Sequence, residues 1–189
     1  MAQHRPTRVV FHCLKGLDHF TDDLIAGLNH DPNLDVRKVL VTSQEVYKKA
    51  VGWADVVWFE FWLPPFPKLA NATNFGNRKV FIRIHGFEGI STQTPNQIPY
   101  DKIDRVILVS QRFFELLQER FTVRPEKFEV IYNGVDVDKF LPYADVPKEK
   151  KVACFGNLYA RKNPMLALFY YQELIKYDDE YTLHFAGYN

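Results

Sequence analysis

Arg105-Val106-Ile107-Leu108-Val109-Ser110-Gln111-Arg112-Phe113-Phe114-Glu115-Leu116-Leu117-Gln118-Glu119-Arg120-Phe121 changes its hydrophobic period part-way along. Its start is a short aliphatic run suited to a strand. Ser110 is an N-cap candidate, and Phe113, Leu116, Leu117 and Phe121 then return on one helical face. The same alternation runs outward in both directions. Strands are expected at Arg8–His12, Val36–Val41, Asp55–Phe59, Lys79–Ile84, Arg105–Val109, Phe128–Tyr132, Lys151–Phe155 and Tyr181–Phe185. Helices are expected at Thr21–Asn29, Ser43–Val51, Pro67–Phe75, Gln111–Phe121 and Pro164–Lys176. Thr21, Ser43 and Ser110 stand as N-caps, Gly52 and Gly76 as helix-ending glycines, and Asn163-Pro164 as an N-cap followed by proline. This order predicts an α/β fold, with crossover helices over a mostly parallel sheet.

The 189 residues are 47% hydrophobic, 25% charged and 15% aromatic with a formal net charge of +1. That is a globular composition, which excludes disorder, collagen and coiled coil. Near-neutral charge argues against a nucleic-acid binder that relies on many phosphate contacts. Cys13 and Cys154 make no disulfide framework and have no partner at metal-ligand spacing, so both are read as buried thiols. Met1–Arg8 does not read as a signal peptide. The most apolar stretch, Ala54–Leu63, is broken by Asp55 and Glu60 and stopped by Pro64 and Pro65, short of the roughly 20 apolar residues of a membrane helix. A cytoplasmic protein is expected.

Leu141–Lys150 has two prolines, four charges among its last six residues and no periodicity, the marks of a linker. Residues 1–142 then form a five- or six-strand domain, 143–150 the connection, and 151–189 one strand, one helix and one more strand. A β-α-β unit leaves both sheet edges open and one face bare, so more of a second domain is expected beyond Asn189.

Ligands of open α/β sheets bind beyond the carboxyl ends of strands, and four such places carry polar chemistry. Cys13-Leu14-Lys15-Gly16-Leu17-Asp18-His19 has one glycine whose backbone could approach a phosphate; an ordinary tight turn is the alternative, favoured by Asp22 and Asp23 in the next helical turn. Arg83-Ile84-His85-Gly86-Phe87-Glu88-Gly89 opens a loop running to Asp101. His85 there suits hydrogen bonding or proton handling at a bound hydroxyl, or else is a strand-end histidine satisfied by the backbone. Asn133-Gly134 starts a turn in which Asp136 caps a short segment ending at Phe140, redirecting the chain. Arg161 and Lys162 stand just before a helix N-terminus, where they suit a phosphate or diphosphate, or form a solvated surface pair. No histidine pair has the spacing of a zinc site.

Taken together, these pieces resemble the family-4 type of retaining, nucleotide-sugar-dependent glycosyltransferase. Val130-Ile131-Tyr132-Asn133-Gly134-Val135-Asp136 with Phe140 resembles that family's crossing segment, and Phe155-Gly156-Asn157-Leu158 with Lys162-Asn163-Pro164 its donor-binding start. Arg83–Gly86 and Val106–Ser110 resemble two of its strand ends. The resemblance implies the GT-B fold, a Rossmann-like N-terminal domain followed by the first β-α-β of a second Rossmann-like domain. It implies His85 as the catalytic residue near the sugar and acceptor hydroxyl. Lys162 and Gly16 would bind the donor diphosphate from the two domains. Asn157 stands at the diphosphate-binding position where the family usually has an arginine, so either Arg161 substitutes for it or donor binding is weakened. The implied partners are a nucleotide-sugar donor and a glycan or lipid-linked acceptor, with no metal or cofactor and no nucleic acid, in surface polysaccharide or glycan biosynthesis. The family's later carboxylate pair and base-recognition loop would lie beyond Asn189, so these residues alone are expected not to transfer sugar.

Two other readings stand beside this one. A non-catalytic carbohydrate- or anion-binding domain would use Trp53, Trp58 and Trp62 as stacking surfaces. A dinucleotide-dependent dehydrogenase is disfavoured because no G-x-G-x-x-G follows a strand. Peripheral membrane contact would fall on Gln111–Phe128, through Arg112, Arg120, Arg124 and Lys127 with Phe113, Phe114, Phe121 and Phe128, unless these aromatics face the sheet.

Overall fold

The computed structural model describes residues 5–138, 149–156 and 160–187. The chain divides into two units, Met1–Val135 and Asp136–Asn189. The linker stretch and Phe140 fall largely or wholly on 139–148, outside the described residues.

The first unit is a parallel sheet of β1 (Thr7–Cys13), β2 (Leu34–Leu40), β3 (Val56–Glu60), β4 (Lys79–Ile84), β5 (Arg105–Leu108) and β6 (Phe128–Val130). Its order is β2-β1-β3-β4-β5-β6, with every neighbouring pair parallel. The chain steps outward from β1 to β2 and then returns past β1 to β3. Crossovers of one hand therefore put α1 (Asp22–Leu28) on one face, and α2 (Gln44–Trp53), α3 (Phe66–Ala72) and α5 (Gln111–Arg120) on the other. Alternating strand residues feed two cores. Val10, Phe59, Ile82, Ile84 and Leu108 pack under Tyr47, Phe66, Phe113 and Leu117, whereas Phe11, Cys13 and Val36 meet Ile25 and Leu28 of α1.

Local chemistry decides the helix ends. Ser43 Oγ accepts the Val46 N–H at 3.2 Å and Ser110 Oγ that of Phe113 at 3.1 Å, as N-caps do. Thr21 differs from expectation: it is buried, and its hydroxyl donates back to the Asp18 carbonyl at 2.7 Å instead of capping α1. Gly52 and Gly76 end no helix either. Helix α2 runs through Gly52 to Trp53, and Gly76, at φ 58°, serves the turn in which Arg78 N–H reaches the Phe75 carbonyl.

The loop expected after β4 contains α4 (Gly86–Ser91) and two 3₁₀ turns, Thr94–Gln97 and Tyr100–Lys102. Its two glycines hide the helix from propensity. Gly89 is there for packing, since a Cβ would fall 2.5 Å from Phe113 Cε2 and 2.7 Å from Leu117 Cδ2.

The second unit holds β7 (Lys151–Phe155), α6 (Pro164–Leu174) and β8 (Thr182–Ala186), with β7 and β8 parallel. Asn163 Oδ1 accepts the Leu166 N–H at 3.2 Å, so the Asn-Pro start caps α6 as the sequence suggests. Cys13 is fully buried, which pushes its thiol up to about 11, while Cys154 is only half-buried. Among the described residues no helix is long and apolar enough to cross a membrane.

Candidate functional site

The reversal of strand order lies between β1 and β3, so the loops after β1, β3 and β4 are neighbours at one edge of the first unit. Glu60 is the last residue of β3 and is 0% exposed. Burying a lone carboxylate is costly, and this one is surrounded by donors. Trp58 Nε1 donates to Oε2 at 2.9 Å, His85 Nε2 lies 2.8 Å from Oε1, and the Arg83 guanidinium stands 3.5 Å from the same oxygen. The parallel register explains the gathering: Glu60 pairs with Arg83 across β3 and β4, and Trp58 sits two residues back on the same face. Arg83 also donates to Asn133 Oδ1, which ties the turn after β6 to the cluster.

His85 leaves β4 and caps α4. Its backbone N–H donates to Glu88 Oε2 at 3.1 Å, and its ring faces the Glu88 N–H in return, a capping box. Glu88 is buried as well. Burial pushes its carboxyl up, partly offset by backbone donors including the Trp62 N–H at 3.0 Å. The His85 ring is held from above by Phe61, with centroids 4.1 Å apart and planes at 21°. Phe61 achieves this with φ at 68°, a left-handed conformation that costs a bulky residue about 1–2 kcal/mol.

The other expected residues fall in different places. Gly16, at φ 83°, forms a turn after β1, and a Cβ there would meet open space, so conformation alone calls for glycine. Its N–H is taken by Asp18 Oδ1 at 3.1 Å, and Lys38 bridges Asp18 and Asp22, so this loop presents carboxylates beside its glycine. In the second unit Lys162 ends the 3₁₀ turn Ala160–Lys162 ahead of α6. Its stem reaches over Gly156, at φ 130°, where a Cβ would lie 3.7 Å from Lys162 Cε. In sequence Lys162 directly precedes the Asn163 cap of α6, whose N-terminus favours an anion. Arg161 belongs to the same turn, and Asn157 lies outside the described residues. Among the described residues no group of three or more His, Cys, Asp or Glu could hold a metal.

Glu60 and Glu88 were not singled out as site residues from the sequence. The available signal for Glu60 was a single carboxylate inside the otherwise apolar run Val56–Leu63. Two expected surfaces dissolve. Trp62 is buried, Trp58 packs between Phe11 and Phe81, and Trp53 is covered by the Arg37 guanidinium 4.1 Å away, so none offers an open stacking platform. Phe113 and Phe121 are buried, and Phe114 stacks on Phe128 at 5.5 Å, so the aromatics of Gln111–Phe128 face the core. A hollow of about 680 Å³ at the amino-terminal strand edge gathers Arg78, Lys79, Lys102 and Lys127. Arg78 Nε donates to the Val51 and Ala54 carbonyls, and Lys102 to that of Thr73, around the ends of α2 and α3. Arg78 and Lys102 thus neutralise helix carboxyl ends, while Lys79 is paired with Asp104 at 2.8 Å.

The family model described as Glycosyltransferase Family 4 matches residues 23–139. The chain belongs to glycosyltransferase family 4. Among solved structures, one titled "Crystal Structure of TarM" is similar, with a TM-score of 0.55 at 21% identity over 71% of this chain. At that identity the likeness concerns the fold alone: the parallel α/β sheet of this chain is shared with part of that structure. The family-4 chain spans 28% of the TarM chain. None of the curated sequences compared matches it.

Proposed function

We propose that this family-4 chain belongs to a retaining glycosyltransferase that moves a sugar from a nucleotide diphosphate donor to a hydroxyl acceptor on a glycan or lipid-linked glycan. The observation that carries the reading is the His85 cluster, a histidine held by a buried carboxylate and a helix start at the carboxyl edge of a family-4 sheet. In this reading His85 touches the reacting sugar and acceptor hydroxyl. Lys162 and the α6 N-terminus stabilise the negative charge that grows on the departing diphosphate, as preorganised donors do. The turn at Gly16 contributes shape instead of N–H donors, because Asp18 already occupies its N–H. Acceptance of the donor by Lys162 is a charge-assisted hydrogen bond, with a net value of about 1.5–3 kcal/mol, or roughly ten- to a hundredfold.

Calorimetric titration of a nucleoside diphosphate into wild-type and Lys162→Ala protein tests the donor half. Binding weakened by that factor supports the reading. Equal affinity in the two proteins makes Lys162 a surface cation and removes its role.

A further inference from the structure

We propose that Glu60 is a positioning residue that selects the tautomer of His85 and thereby makes Nδ1 the nitrogen that accepts a hydrogen bond from a substrate hydroxyl. The proposal rests on the placement of His85 at the reacting centre argued above. A carboxylate only accepts, so the nitrogen 2.8 Å from Glu60 Oε1, Nε2, carries the hydrogen. The opposite nitrogen faces an N–H, that of Glu88 in the capping box, and so presents its lone pair. Both neighbours demand the same tautomer.

The two bonds are of unequal permanence. Glu60 is 0% exposed and anchored by Trp58 and Arg83, so the Nε2–H bond sits on the inner side of the ring. The Glu88 N–H reaches the ring from the first turn of α4 as a neutral backbone donor, without a buried charge in the bond. A hydroxyl that displaces this N–H can donate to the Nδ1 lone pair in its place. Arg83 supplies positive charge to Glu60 and helps satisfy the buried carboxylate that holds Nε2–H. Phe61, stacked at 4.1 Å, blocks rotation of the ring out of this geometry.

The test is nitrogen-15 NMR of the labelled histidine rings, with His85 assigned by its loss in His85→Gln. Wild type is expected to show a protonated Nε2 and a bare Nδ1 at neutral pH. In Glu60→Gln the amide can donate as well as accept, so a mixture of tautomers is expected. A protonated Nδ1 in wild type overturns the proposal, as does a Glu60→Gln spectrum identical to wild type. If Glu60→Gln fails to fold by near-ultraviolet circular dichroism, the wild-type spectrum still decides. Trp58→Phe, which removes one donor from Glu60, is then expected to broaden the His85 signals, and unchanged signals count against the proposal. In the whole protein, Glu60→Gln should lower kcat roughly ten- to a hundredfold with little change in donor KM, without adding to His85→Ala. Additive losses refute a shared role. Absence of any transfer by wild type refutes the proposed function and leaves the tautomer result standing.

Discussion

Acidification of wild type beside a His12→Phe variant probes the most poorly satisfied group of the first core. His12 is 0% exposed, and neither ring nitrogen has a hydrogen-bond partner among the described residues. Its neighbours are the rings of Tyr47 at 5.0 Å, Phe59 at 5.5 Å and Phe66 at 6.4 Å. Burial pushes its pKa from 6.5 down to about 4, because a charged imidazole in this aromatic pocket loses its hydration. The unfolded chain therefore binds a proton that the folded chain refuses between those values, and stability falls as pH drops through that window. From about pH 7.5 to about pH 5 the loss is about 2 kcal/mol, rising towards 3 near pH 4. In His12→Phe this component is absent. Carboxylates such as Asp18, Asp104 and Glu88 contribute equally to both proteins and cancel in the difference. Urea unfolding followed by tryptophan fluorescence reads the first unit selectively, since Trp53, Trp58 and Trp62 all lie within it. The stability difference between variant and wild type should move by about 2 kcal/mol in favour of the variant over that pH range. Parallel pH profiles would refute the reasoning.

Two further substitutions test the packing and the strain around the site. Gly89→Ala should destabilise the first unit by about 1–3 kcal/mol in urea, because its methyl group meets Phe113 and Leu117 at 2.5–2.7 Å in a closed core; unchanged stability contradicts the α4–α5 contact. Phe61→Gly should be more stable than Phe61→Ala by about 0.5–1 kcal/mol, the left-handed penalty less the extra chain entropy of glycine. An alanine variant as stable as the glycine variant would show that φ 68° is not strained.

Much of the first sheet was legible because each strand is a short apolar run and each long helix repeats its apolar residues at helical spacing. Ser43, Ser110 and Asn163 worked as caps because their side chains reach an N–H three residues on, an entirely local event. Strand order was not legible, since which strand lies beside β1 is decided by distant crossovers. Helix α4 escaped because Gly86 and Gly89 lower propensity, whereas Gly89 is retained by contact with α5, more than twenty residues away in sequence. Histidine 85 was visible as a polar residue at a strand end. Its partner Glu60 was visible only as a charge in an apolar run, and their meeting depends on the register between β3 and β4. Aromatic content misled in the other direction: Trp62 and Phe113 suit a binding face by composition, yet both are core.

The most direct measurement is transfer itself, made with the whole protein, a panel of labelled nucleotide sugars and hydroxyl acceptors, and proton NMR of the product's anomeric centre. The account predicts a product with the donor's anomeric configuration, and a His85→Ala variant whose turnover falls roughly a hundredfold or more while donor affinity changes little. A product of inverted configuration, or a His85→Ala variant with wild-type turnover, would contradict it.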